Sequence, residues 1–73
     1  MTTDEARLIL DMAKYDMNCQ KMSRNIYMHR NTIAYHLGKI RRETGLNPRR
    51  FYDLIKLVRT AREVIANDTQ SEK

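Results

Sequence analysis

The sequence has few of the residues that interrupt regular structure. Its 73 residues include only two Gly and one Pro. An all-β sandwich needs turn residues between many short strands, so this composition argues against that class. Separate hydrophobic cores arise only in much longer chains, so we expect a single domain over residues 1–73. We predict that this domain is all-α.

Cysteine, histidine and long apolar runs are also scarce. Cys19 is the only cysteine, so it cannot form an internal disulfide. With only His29 and His36 beside it, the soft ligands are too few for a structural zinc site, and we predict no metal and no cofactor. No apolar run approaches the ~20 residues that span a bilayer, and the N-terminus lacks the order of a signal peptide. We expect no membrane contact and a cytoplasmic location.

The familiar catalytic signatures are missing as well. The sequence contains no Ser-His-Asp arrangement, no phosphate-binding glycine loop and no spaced pair of carboxylates. Cys19 is better explained as a small apolar packing residue than as a nucleophile. We predict no enzymatic activity and no catalytic residue.

Positive charge is abundant and unevenly distributed. The chain carries 14 Lys and Arg against 9 Asp and Glu, a formal charge of +5. Residues 21–50 hold eight of the basic residues and a single acid, Glu43. Cationic side chains can simply solvate one side of a small bundle, but such clustering is typical of a surface that binds a polyanion.

Helix-capping residues mark the first two helices. Thr2 and Glu5 have the spacing of a capping box, which predicts a first helix over about residues 4–15. Asn18 can cap a short second helix over residues 19–26.

A third helix is predicted by periodicity. Ile33, Leu37 and Ile40 recur at the spacing of one helical face. Gly45 follows as a C-terminal stop, because Gly accepts the left-handed conformation that ends many helices. The third helix should therefore span about residues 30–43, beginning near His29 or Arg30.

The fourth helix has a different start signal. We predict Asn47 as its N-cap and Pro48 as its first position. The residues expected to face inward are Phe51, Leu54, Ile55, Val58, Ala61 and Ile65. The polar tail over residues 67–73 is expected to be disordered.

The second and third helices have the pattern of a helix-turn-helix over about residues 19–43. Ser23 is the small residue needed where the two helices cross. Tyr27 stands at the turn position where Gly is commonest, at some cost in strain. With the apolar stripe inward, the opposite face of the third helix carries Asn31, Thr32, Tyr35, Gly38, Lys39 and Arg42. We predict a small four-helix bundle containing a helix-turn-helix.

One series of residues is more specific than the general pattern: His29-Arg30-Asn31-Thr32-Ile33, then Tyr35, Leu37, Ile40 and Thr44-Gly45-Leu46. It resembles the C-terminal DNA-binding domain of PucR-type transcriptional regulators, which include the sugar-diacid and purine regulators. Residues 47–54 resemble the Asp-Pro-Arg-x-Phe-x-Asp segment of that family, so the resemblance covers about residues 18–59. The Arg-Asn-Thr step is also similar to the Fis group, whose proteins bind DNA as homodimers.

The resemblance implies which positions face DNA. These are Arg30, Asn31, Thr32, Tyr35 and Lys39. The family usually has Arg at the position of His36 and a polar or charged residue at that of Gly38, so two contacts to DNA are lost or weakened here.

The pattern and the resemblance together predict sequence-specific binding of double-stranded DNA and regulation of transcription. The helix over about residues 30–43 would enter the major groove, where Asn pairs with adenine and Arg or Lys with guanine or phosphate. The candidate DNA-binding residues are His29, Arg30, Asn31, Thr32, Tyr35, Lys39, Arg42, Lys21 and Arg24. Such a protein would be associated with the nucleoid.

Two other functions fit the same scaffold. A helix-turn-helix can bind an acidic protein surface, or it can bind DNA without sequence preference as an architectural protein. An aromatic platform that stacks the bases of single-stranded nucleic acid is disfavoured. It needs several exposed rings, but only Tyr35 of the four tyrosines is expected to face clearly outward, and the other three are expected to be half-buried.

The fourth helix has more apolar residues than one small core needs. Leu57 and Val64 extend its apolar stripe, and Leu8 does the same on the first helix. We predict a homodimer through these residues.

Overall fold

A computed structural model describes the backbone of residues 1–71 and the side chains of residues 1–68. Four helices and no strand occur in this part of the chain, which confirms the all-α prediction. They are α1 (Thr3–Lys14), α2 (Cys19–Asn25), α3 (Arg30–Thr44) and α4 (Phe51–Ser71). None of them, over the described residues, combines the length and apolar character needed to cross a membrane.

The capping box at the start of α1 is confirmed. The Thr2 hydroxyl accepts from the Glu5 amide at 3.1 Å, and Glu5 Oε1 accepts from the Thr2 amide at 2.8 Å. After α1 the chain turns through two left-handed residues, Asp16 and Met17. The Asn18 side chain then accepts from the Lys21 amide at 3.0 Å and caps α2 as predicted.

The core lies along α1, which packs against α4 over its length and also contacts α2 and α3. Ile33, Leu37 and Ile40 face this core, as the periodicity of α3 predicts. Among the described residues, the buried members of this core are Ala6, Leu8, Ile9, Met12, Met22, Ile33, Leu37, Ile40, Leu54, Leu57 and Ala61.

The predicted dimer surface is wrong at two of its three residues. Leu8 and Leu57 are only 4% and 1% exposed, because both belong to the hydrophobic core of the domain. Val64 is half-buried against the same core. The apolar residues that looked surplus are therefore used within one copy of the chain.

The predicted start of α4 is also wrong. Pro48 lies in a turn, and the helix begins three residues later, at Phe51. The Asn47 side chain accepts from the Arg49 amide at 3.0 Å, so its capping capacity closes this turn instead of a helix. The Asp53 carboxylate, in the first turn of α4, accepts from the Asn47 amide at 3.1 Å and holds the turn against the helix.

Two residues expected to face inward from α4 do not. Phe51 and Ile55 are 59% and 50% exposed. The line that packs on α1 runs through Leu54, Leu57 and Ala61, so Phe51 and Ile55 stand about 90° or more around the helix from its centre. They border an apolar groove of about 290 Å³ between α1 and α4.

The end of α4 differs from the expected disordered tail. The helix continues past Asn67 to Ser71, because no Gly or Pro follows to stop it. Residues 72–73, also part of that prediction, lie outside the described residues.

Candidate nucleic-acid interface

The turn between α2 and α3 is built on one left-handed residue. α2 closes with the Ile26 amide donating to the Met22 carbonyl at 2.8 Å. Tyr27 then adopts φ +55°, the conformation for which Gly is the usual choice at this position. A side chain in that region costs about 1–2 kcal/mol. The Tyr27 ring is 94% exposed, so no packing inside the domain offsets this strain.

His29 caps the N-terminus of α3. Its Nδ1 accepts from the Asn31 amide at 3.1 Å, which requires that this ring nitrogen carry no proton. The side chain is exposed at the helix start, beside Arg30 and Asn31. The structure thus gives His29 a local structural role in addition to the DNA contact predicted from the sequence.

The outer face of α3 is exposed and polar. Asn31, Thr32 and Arg42 are exposed, and Tyr35 is 63% exposed. Asn31, Tyr35 and Arg42 fall close to the direction opposite the Leu37 stripe, so they form one continuous surface. The structure thus leaves these four predicted residues exposed on the outer side of α3.

Gly38 opens the centre of this surface. A methyl group added there would meet only Arg42 Nη1, at 3.5 Å, which is an ordinary contact distance. The helix backbone at Gly38 is therefore approachable from outside, and the Arg42 guanidinium lies beside the opening.

Lys39 does not share this open surface. It is half-buried and lines a cleft between α3 and α1, together with Glu5 and His36. Among the sequence-predicted site residues it alone has its charge acting on a buried carboxylate of α1.

The remaining predicted basic residues are exposed around the helix-turn-helix. Lys21 and Arg24 lie on α2, and Arg30 opens α3. Arg41 in the last turn of α3 and Arg49 in the turn before α4 are exposed basic residues as well. Within the described part of the chain, none of these side chains is held in an ion pair, so each is available to an external anion.

The expectation that three of the four tyrosines are half-buried is wrong for two of them. Tyr27 and Tyr52 are 94% and 78% exposed, although both were expected to be half-buried. For Tyr27 a signal existed, since the residue in the turn of a helix-turn-helix lies outside both apolar stripes. Tyr52 is exposed because it lies on the side of α4 opposite the line of Leu54, Leu57 and Ala61.

The described residues contain no group of three His, Cys, Asp or Glu side chains able to hold a metal ion. Cys19 is half-buried and packs against the core.

A short helix, a left-handed turn and a second helix with an exposed polar face define a helix-turn-helix domain. The comparison with known families agrees: the model of the PucR C-terminal helix-turn-helix domain matches residues 11–62. The chain belongs to this family, and the predicted resemblance is confirmed. The match runs from the last turn of α1 into α4 and includes the whole helix-turn-helix. No curated protein and no solved structure matches the chain.

Membership of this family indicates DNA binding in the regulation of transcription. Domains of this kind are typically not enzymes.

Proposed function

We propose that this domain reads the sequence of double-stranded DNA, in the cytoplasm and on the nucleoid, with α3 in the major groove. The observation that carries the proposal is the two-sided character of α3. Its apolar residues are buried, while Asn31, Tyr35 and Arg42 project from the opposite side with no other described element over them. A major groove of about 12 Å width admits such a helix.

The base contacts are assigned to the first turns of α3. Recognition helices usually contact base edges with their N-terminal residues. Asn31 can make a bidentate pair with adenine, and Arg30 can do the same with guanine. Thr32 and Tyr35 offer hydroxyl groups to bases or phosphates.

The phosphate contacts are assigned to the basic residues around this helix. Lys21 and Arg24 would hold one side of the groove from α2, and Arg42 would hold the other. These contacts position the domain but carry no sequence information.

The experiment is selection of bound duplexes from a random pool, followed by titration with Asn31→Ala and Arg42→Ala. Asn31→Ala should lower the discrimination between selected and random duplex by about 1–3 kcal/mol. Arg42→Ala should weaken both duplexes alike and reduce the salt slope by about one phosphate contact. Lys56→Ala, an exposed lysine on α4, is the matched control and should change neither.

The alternatives appear as distinct results of the same experiment. A steep salt slope with no preference among duplexes indicates an architectural DNA-binding protein. No duplex binding at any salt between about 50 and 200 mM rejects the proposal and leaves the protein-interaction module. A palindromic selected site would indicate that two copies bind together.

A further inference from the structure

One carboxylate oxygen of the domain is sealed from water without a partner. Glu5 is only 4% exposed. Its Oε1 accepts from the Thr2 amide, but its Oε2 is buried and has no hydrogen-bond partner. Leaving a buried polar atom unpaired is costly, and for a charged group the penalty is larger. Such an oxygen calls for a cation within reach.

Glu5 borders the cleft of about 330 Å³ between α1 and α3. Leu8 and Met28 give this cleft apolar walls. Lys39 enters it from the α3 side, half-buried and with no ion pair to another described residue. Glu5 and Lys39 therefore line the same cleft from different helices.

The other charged or titratable groups that line the cleft are Asp4, Arg7, Asp11 and His36. Burial raises the pKa of Glu5, but the Thr2 hydrogen bonds, the charge of Lys39 and the N-terminal ammonium together bring this pKa below its ordinary value. Arg7 has no comparable influence on this carboxyl group. Of the two cationic side chains that line the cleft, Lys39 and Arg7, Lys39 is thus the one whose charge acts on the Glu5 carboxyl group.

We infer that Lys39 is a positioning residue: its ammonium, which makes no ion pair in this structure, crosses the cleft to bind Glu5 Oε2, and the pair sets the rotation of α3 on α1. The consequence for DNA rests on the proposed function: the pair determines where Asn31 and Tyr35 point, and Lys39 itself contacts no phosphate. The formation of the ion pair between Lys39 and Glu5 does not depend on DNA binding.

The pair is tested by a double-mutant cycle in urea unfolding, with Glu5→Gln, Lys39→Met and the double variant. Gln retains the capping-box acceptor, and Met retains an unbranched apolar stem. The cycle also subtracts the loss of negative charge from the start of α1.

Each single variant should increase the unfolding equilibrium constant about tenfold. This effect is larger than that of breaking an exposed ion pair and smaller than that of breaking a fully buried one, because the site is partly buried. The double variant should then unfold no more readily than the weaker single variant. Effects that multiply to about a hundredfold in the double variant, or a Lys39→Met variant as stable as the parent, would overturn the pair. Lys39→Arg should retain stability, and Lys56→Met is the control for loss of an unpaired lysine.

Duplex binding separates positioning from phosphate contact. For a positioning residue, Lys39→Met and Glu5→Gln weaken the selected duplex by a similar factor and leave the salt slope unchanged. For a phosphate contact, Lys39→Met lowers the slope by about 0.9 and Glu5→Gln has no effect, which would overturn the inference. If no duplex binds to any variant, the proposed function fails, while the unfolding cycle still decides the pair.

Discussion

Replacing Gly38 by Ala tests the exposed face of α3 from two directions. Gly in the middle of a helix is about 1 kcal/mol less favourable than Ala. The added methyl group meets only Arg42 Nη1, at 3.5 Å, so no steric penalty offsets this gain. We expect Gly38→Ala to raise the free energy of unfolding by about 1 kcal/mol, which corresponds to an increase in Tm of about 4–8 °C for a domain of this size.

The same methyl group should weaken DNA binding. Gly38 lies in the middle of the surface formed by Asn31, Tyr35 and Arg42, where a helix in the major groove approaches the DNA most closely. Overpacking at a tight contact costs about 1–3 kcal/mol. Stability and affinity for the selected duplex should therefore change in opposite directions, which a simple loss of folding cannot produce.

Urea and thermal unfolding measure the first effect, and fluorescence anisotropy with the selected duplex at fixed salt measures the second. Ala34→Gly is the matched control, because Ala34 is exposed on the same helix and the reverse exchange should destabilise by about 1 kcal/mol. A Gly38→Ala variant less stable than the parent would refute the steric reasoning. A more stable variant with unchanged affinity would mean that DNA does not approach this face.

Three further predictions concern single side chains. Tyr27→Gly should raise the free energy of unfolding by about 1 kcal/mol in urea, because it removes left-handed strain without removing a contact. His29→Ala should lower it by about 0.5–1 kcal/mol through loss of the cap on α3. Burial raises the pKa of Asp11 more than Lys14 lowers it, so the ionised form is disfavoured in the folded state. Asp11→Asn should therefore stabilise above about pH 5 and not below about pH 3 in unfolding measured across pH.

Each of these predictions has a contrary outcome. Loss of stability in Tyr27→Gly would show that the Tyr ring makes a stabilising contact. An unaffected His29→Ala variant would show that the α3 amides are satisfied by water. A stabilisation by Asp11→Asn that is constant between about pH 3 and 7 would contradict the raised pKa.

The pH dependence contains an opposing contribution from Glu5. Its pKa is lowered in the folded state, so the stability it contributes is present above its unfolded pKa and is lost as the pH falls through the folded value. Glu5→Gln should therefore reduce the loss of unfolding free energy as the pH falls. Asp11→Asn should increase that loss, because the pKa of Asp11 is shifted in the opposite direction.

The orientation of α3 could be predicted because its sequence allows one solution. Ile33, Leu37 and Ile40 are the only strongly apolar residues of that helix, so burying them leaves Asn31 and Tyr35 outside. Gly45 likewise adopts φ +76° and ends the helix as predicted. In these places local preference and tertiary packing agree.

The boundary of α4 could not be predicted, because Asn47 can cap a turn or a helix with the same side chain. The choice depends on Asp53, six residues later, which accepts from the Asn47 amide.

The burial of Leu57 depends on which side of α4 is covered by α1, and the burial of Leu8 depends on how α1 packs on the other helices. A count of apolar residues in either helix does not contain that information. Lys39 poses a similar difficulty, because its position beside Glu5 follows from the packing of α1 on α3 and not from α3 alone.

The division of α3 into a buried and an open side separates the proposed DNA-reading residues from those that hold the core. Substitutions at Asn31 and Thr32 alter no contact of the core, so their effect on folding is confined to helix propensity, a few tenths of a kcal/mol each. A substitution at Tyr35 also removes its edge contact with the His36 ring. A duplicated copy of this chain could therefore acquire a new DNA target through a few exchanges without passing through unfolded intermediates. Combinatorial libraries at these three positions should yield mostly folded proteins, from which altered preferences can be selected directly.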